Sequence, residues 1–249
     1  MTRPVFLADD LDPAANALAV GDRAVLGGPE GRHAKVQRLQ PGQELDVVDG
    51  AGLRLTCVVT QGPDVSLEVV AVVREPVPTP RLTLVQALAK GGRDEQAIET
   101  ATEIGVDRII PWQANRSIVR WDAKKRAKAQ EKWRNVIVSS TKQSRRAWTP
   151  ELGDVVDSGQ LAALVGGVVG AGGRVLVCHE TATTRLAEIA LDSPEIVVVV
   201  GPEGGIDEGE LGTLTDAGAD VVLLGPHVLR SASAGPAALT LLSAATGRW

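Results

Sequence analysis

The run Ile196 to Val200 is aliphatic throughout and ends on Gly201-Pro202-Glu203-Gly204-Gly205. An apolar run without polar alternation, closed by glycines, is a strand buried on both faces. A second such run, Val221 to Leu224, ends on Gly225-Pro226, and Val228-Leu229-Arg230 leads from it into a helical pattern. Two buried strands that end in glycine turns so close together point to a ligand pocket at one edge of a parallel sheet. Glycine lets the backbone approach a bound molecule and offer it bare N–H and C=O groups. Neither turn is followed by the Gly-Lys-Ser/Thr of a phosphate-binding loop, and neither is a G-x-G-x-x-G dinucleotide fingerprint, which disfavours an NAD-type oxidoreductase.

Periodicity divides the chain in two. The first seventy or so residues read as short strands, with a hairpin across Asp49-Gly50-Ala51-Gly52 between Glu44–Val48 and Leu53–Val59, and a further strand over Val65–Val73. Three prolines within Arg74 to Pro80 read as a linker, so the expected domains are 1–74 and 75–249. Strands and helices then alternate. Strands are expected at Leu82–Leu88, Arg108–Trp112, Val175–Cys178, Ile196–Val200 and Val221–Leu224. Helices are expected at Asp94–Ile104, Lys124–Ser139, Thr184–Ala190, Asp207–Ala217 and Ala234–Ala245, with Asp207 as an N-cap and Glu210 completing its box. This is an α/β domain with a mostly parallel sheet.

The opening residues lack the apolar core of a signal peptide, and the apolar stretch Leu161 to Val177 is broken by glycines and Arg174, so a soluble, cytoplasmic protein is expected. Cys57 and Cys178 show no metal-ligand spacing, and neither a metal nor a disulfide is expected. The net charge of -5 conceals a local excess of cations. From Arg116 to Arg146 run Arg120, Lys124, Lys125, Arg126, Lys128, Lys132, Arg134, Lys142 and Arg145, opposed only by Asp122 and Glu131. Trp112, Trp121, Trp133 and Trp148 are interleaved with them. Cations beside flat aromatics suit phosphate pairing and base stacking on RNA, whereas tryptophans packed in a core beside a solvated helix face are the plainer alternative. Arg32, Lys35, Arg38 and Arg54 form a second, N-terminal candidate for holding RNA.

Together these motifs resemble the RsmE family of small-subunit ribosomal RNA methyltransferases. GPEGG after an apolar strand and LG-x-x-x-LR before the last helix are similar to that family's two glycine turns. Lys90 with Glu99–Val106 and Ile109-Ile110-Pro111, Gln143-Ser144-x-Arg146, Arg38-Leu39-x-Pro41-Gly42 and Asp49-Gly50 match its other segments, so the resemblance runs nearly end to end. It implies a PUA-like, RNA-binding β-barrel followed by a SPOUT-type, trefoil-knotted methyltransferase domain with flanking helices. It also implies a homodimer that uses S-adenosylmethionine to methylate N3 of a uridine in ribosomal RNA or the small ribosomal subunit. Ribose 2′-O methylation within the same superfamily and non-enzymatic RNA binding are the alternatives. The family usually continues its LR with Thr-Glu-Thr-Ala, whereas Ser231-Ala232-Ser233-Ala234 stand here, so no carboxylate role falls at Ala232.

By that resemblance Val200, Gly201, Pro202, Gly204, Gly205, Leu224, Gly225, Leu229, Ser231 and Ser233 hold the cofactor. Arg230 stabilises the uracil anion, with Glu203 as the nearest carboxylate. Arg38 in the N-terminal segment and Arg116, Arg120, Lys124, Lys125, Arg126, Lys142, Arg145 and Arg146 from the run of cations are expected to contact RNA. His33 and His179 are expected to be structural, and His227 to be a pocket wall.

Overall fold

The computed structural model describes residues 3–62 and 64–249. They divide into two compact units, one holding the chain up to Val77 together with Thr141–Thr149, the other Pro78–Ser140 and Pro150–Trp249.

The first unit contains β1 (Val5–Leu7), β2 (Leu11–Asp12), β3 (Arg23–Leu26), α1 (Gly28–Val36), β4 (Glu44–Val48), β5 (Leu53–Val59) and β6 (Val65–Arg74). Its strands form one sheet in the order β1-β4-β5-β6-β3-β2. The β4–β5 hairpin has the expected bounds. Asp49 Oδ1 accepts the N–H groups of Ala51 and Leu53 across the turn, and Gly50 and Gly52 take positive φ. A Cβ at Gly52 would sit 2.5 Å from the Trp148 ring, so glycine is required for that packing. Phe6, Leu26, Leu45, Leu55 and Leu67 fill the interior. The segment 141–149, expected from the sequence in the second domain, groups with this unit. Trp148 bridges Ala51, and Lys142 pairs with Glu30 at 2.7 Å. Helix α1 carried no signal in the sequence, because it opens on Gly28-Pro29 and its apolar face is narrow.

The second unit contains β7 (Arg81–Ala87), α2 (Arg93–Ile104), β8 (Arg108–Trp112), α3 (Ala123–Gln143, its last turn passing into the first unit), β9 (Glu151–Leu152), α4 (Ser158–Gly170), β10 (Arg174–Cys178), β11 (Glu195–Val200), α5 (Glu208–Asp216), β12 (Asp220–Val222) and α6 (Ser231–Ala245). The sheet runs β12-β10-β11-β7-β8-β9, and each pairing is parallel. In β11, Ile196, Val198 and Val200 pack with α2 and α6 residues, while Val197 and Val199 pack with Leu161, Val165 and Leu214 of α4 and α5. Burial on both faces is why that strand reads as a continuous apolar run.

Three elements differ from expectation, the first being the two-residue strand β9, which was not expected. The helix expected over Thr184–Ala190 is a single 3₁₀ turn, Leu186–Glu188. Its backbone is committed elsewhere, because Leu223 N–H donates to Thr184 O at 2.9 Å and Leu186 N–H to Leu223 O at 3.0 Å. Helix α4 was not expected, since Gly166, Gly167 and Gly170 depress helix propensity. Its start signal was nevertheless present: the Asp157 carboxylate accepts Gln160 N–H and Gln160 reaches back, a full capping box. The box expected at Asp207 and Glu210 also forms. Among the described residues no helix is long and apolar enough to cross a membrane.

Candidate active site

Because the sheet is parallel, its strand ends share one edge. Cys178 is level with both Val200 and Val222, so β10, β11 and β12 release their loops side by side. The loops and the start of α6 enclose a cleft of about 680 Å³ and an adjoining one of about 220 Å³. Both lie within the second unit.

Val200, Gly201, Pro202, Gly204, Gly205, Leu229, Ser231, Glu203 and Arg230 line the larger cleft, as does Arg116, expected from the sequence to contact RNA. Leu224, Gly225 and Leu229 line the smaller one, together with His227. Ser233 lines neither and is exposed on α6. The glycines differ in what they permit. A Cβ at Gly201 would meet Ile206 at 2.6 Å, and one at Gly204 would meet Arg116 Cβ at 3.1 Å and its carbonyl oxygen at 3.2 Å. At these two positions the chain itself leaves no room for a side chain. Gly225 meets nothing within 4 Å, so its Cα faces open space.

Among the described residues, two polar groups at the start of α6 have no partner. Arg230 takes the N-cap position but its side chain caps no N–H, and it is exposed to the cleft. The Ser231 hydroxyl is buried, with the residue 8% exposed, and makes no hydrogen bond. A buried hydroxyl without a partner is costly unless something else satisfies it.

The carboxylates and histidines have other commitments. Glu203 Oε1 accepts from Arg93 Nη1 at 2.9 Å and from Lys90 N–H at 3.3 Å. Burial pushes the Glu203 carboxyl up, but its own N–H, the Arg93 guanidinium and the Lys90 N–H outweigh it and hold the group below the usual range. His179 Nδ1 lies 2.8 Å from Thr181 Oγ1 and 3.3 Å from the Thr181 backbone nitrogen, and its Nε2 lies 4.0 Å from Glu180. Burial pushes the Cys178 thiol up to about 12, which removes it as a nucleophile.

Of the RNA candidates, Lys142 is paired with Glu30, with side chains 19% and 13% exposed. Arg120 donates to Asn115 O, and Lys125 lies 3.2 Å from Asp122. Lys124, Arg126, Arg38 and Arg145 are exposed, while Arg146 is half-buried. Trp112, Trp121 and Trp133 are buried, which excludes them as base-stacking platforms, and Trp148 Nε1 donates to Pro76 O. Arg93 went unnoticed in the sequence. Finding it required knowing that β7 lies beside β11, a pairing between residues more than a hundred positions apart. Among the described residues no cluster of three or more His, Cys, Asp or Glu could hold a metal ion.

A model of the RNA methyltransferase domain matches residues 75–243. The ribosomal RNA small subunit methyltransferases E of Mycobacterium tuberculosis and Mycobacterium bovis are each 43% identical to the chain over 253 residues, covering 100% of it and 94% of the relative. The ribosomal RNA small subunit methyltransferase E of Neisseria gonorrhoeae, solved bound to S-adenosyl methionine, superposes with a TM-score of 0.85 at 26% identity over 98% of both chains. A Legionella pneumophila methyltransferase solved with the cofactor SAM gives 0.83, also at 26% identity over 98% of both chains. The α/β fold with its parallel sheet, the cleft at the strand ends and identity over the full length agree: the chain belongs to the ribosomal RNA small subunit methyltransferase E family.

Proposed function

We propose that this protein methylates N3 of a uridine in small-subunit ribosomal RNA with S-adenosylmethionine as donor. The observation that carries the site assignment is the pairing, on one cleft wall, of the unpartnered Ser231 hydroxyl with the uncommitted Arg230 guanidinium. The cofactor fits this environment. Val200, Gly201, Pro202, Gly204 and Gly205 offer it bare backbone on one side, Leu224, Gly225 and Leu229 on the other, and Ser231 an unsatisfied hydroxyl. When bound it supplies an electrophilic methyl group on a sulfonium.

The chain has to position the acceptor and manage charge. Uracil N3 carries an imide proton and becomes a nucleophile when that proton leaves. The Arg230 guanidinium, placed at the uracil oxygens, stabilises the resulting anion. The exposed cations Lys124, Lys125 and Arg126 on α3 pair phosphates together with Arg116 and Arg120, and Arg38, Arg145 and Arg146 add contacts from the first unit.

In the same reading the first unit is a PUA-like RNA-binding barrel and the second a trefoil-knotted SPOUT domain. The protein acts in the cytoplasm as a C2 homodimer. Leu241 on α6, 40% exposed, is the kind of apolar residue such an interface covers. A monomer mass by light scattering at micromolar concentration would count against the dimer.

Calorimetry with S-adenosylmethionine and nucleoside analysis of methylated RNA test the function together. N3-methyluridine is the expected product, and a 2′-O-methylated nucleoside would favour the sister chemistry. Arg230→Ala should lower turnover about a hundredfold while changing cofactor affinity far less. Equal losses in both would make Arg230 a binding residue.

A further inference from the structure

The Gly201–Gly205 turn is tied to two neighbouring strand ends. Strand β7 pairs with β11, with Gln86 level with Val200, so the loops that follow them are adjacent. From the β7 side, Arg93 at the start of α2 and the Lys90 N–H both donate to Glu203 Oε1. From the loop after β8, Arg116 Nη1 donates to Gly204 O at 3.2 Å. A glycine-rich turn has many conformations to lose on binding a ligand, and Gly205 already sits at φ 73°. The turn on the β7 side is itself flexible by composition, with Gly91 and Gly92 both at positive φ. A carboxylate accepting from both the backbone and the side chain of that segment ties one loop to the other.

We infer that Arg93 is a positioning residue for the cofactor cleft: through Glu203 it holds the Gly201–Gly205 turn in its ligand-ready form, and Glu203 takes no proton during methyl transfer. This rests on the function proposed above. A carboxylate paired with a guanidinium is a weak base, poorly matched to an imide proton. Arg93 and Glu203 are 36% and 20% exposed, so the pair is neither freely solvated nor sealed in the core, and one partner can be removed without opening a cavity.

The test is a double-mutant cycle read by calorimetry with S-adenosylmethionine alone, followed by turnover against pH. Arg93→Ala and Glu203→Ala should each weaken cofactor binding about tenfold, and the double variant by about the same tenfold, because both remove one tie. Glu203→Gln, which keeps an acceptor oxygen for Lys90 N–H and Arg93, should recover most of the affinity that Glu203→Ala forfeits. The acidic limb of the turnover profile should stay where it is in the wild type. Additive losses of about a hundredfold in the double variant would overturn the inference. So would a Glu203→Gln variant that binds cofactor normally but has no turnover and no acidic limb. Wild-type protein that binds no S-adenosylmethionine would overturn the proposed function and this inference with it.

Discussion

The Arg248 guanidinium grips the Asp107 carboxylate with both arms, Nη1 to Oδ2 at 2.5 Å and Nη2 to Oδ1 at 3.1 Å, across 141 residues of sequence. The same guanidinium donates to Pro80 O and Gly105 O, and Asp107 also accepts the Leu82 N–H. Both side chains are nearly buried, at 11% and 12% exposed. The chain end is thereby fastened to the start of β7 and the α2–β8 turn. Arg248→Ala strands a buried carboxylate and should destabilise the protein by about 3–5 kcal/mol. Chemical denaturation of the variant measures this. Arg248→Lys should recover only part of the loss, since an ammonium cannot reproduce the fork.

A second prediction separates a cleft glycine with open space beside it from one packed against the chain. At Gly225 an added Cβ meets nothing within 4 Å, and the residue lines the smaller cleft. Gly225→Val should therefore leave thermal stability near the wild type while lowering S-adenosylmethionine affinity at least about tenfold. Gly204→Val should instead lower stability, because its Cβ presses on Arg116. If Gly225→Val binds cofactor as tightly as the wild type, the ligand does not approach that turn.

The difference between these glycines marks how far the sequence could be read. Ile196 to Val200 and the turn after it disclosed a buried strand with a bare-backbone loop, because consecutive aliphatics and glycine punctuation are local signals. The role of each glycine was not legible, since it depends on Ile206, Arg116 or open space standing opposite. The Lys142–Glu30 pair and the burial of Trp121 and Trp133 were hidden for the same reason: a run of cations and aromatics reads identically whether its partners are phosphates or the protein itself. Helix α4 lay between these cases. Its capping box was written in Asp157 and Gln160, but three glycines in the body masked it.

Asp94, the second residue of α2, is 5% exposed and accepts the N–H groups of Ala89 and Glu95. Burial raises its pKa above the ordinary 3.8, and those hydrogen bonds only partly oppose it. The fold thus holds this proton more tightly than the unfolded chain does. Stability is greatest where the group is protonated in both states, and it declines as pH rises from the unfolded value through the raised folded value. Asp94→Asn keeps an acceptor oxygen and removes the buried charge. Its Tm should exceed the wild type's by about 2–4 °C at pH 7.5 and match it at pH 3. A lower Tm at pH 7.5 would mean that the ionised carboxylate is what the turn requires.

Helix α3 carries its cations at the wrong end for stability. Lys124, Lys125, Arg126 and Lys128 crowd its start, the first turn holds no acidic residue, and the positive end of the helix dipole lies there. Asp122 offsets this only partly: Oδ1 accepts the N–H groups of Lys124 and Lys125, and Oδ2 lies 3.2 Å from Lys125 Nζ. Charges kept against the dipole fit a surface that meets phosphates, where bound anions reverse the balance. Changing Lys124, Lys125 and Arg126 together to Gln should therefore move stability and binding in opposite directions. Free protein should melt about 1–3 °C higher, while RNA affinity falls and the slope of log K against log salt flattens by about 0.7–0.9 for each phosphate that is no longer paired. S-adenosylmethionine binding should not change, because none of the three residues lines either cleft. A variant with raised Tm and an unchanged salt slope would make this run a solvated face, and would shift the RNA contacts to Arg116 and Arg120 or to the first unit.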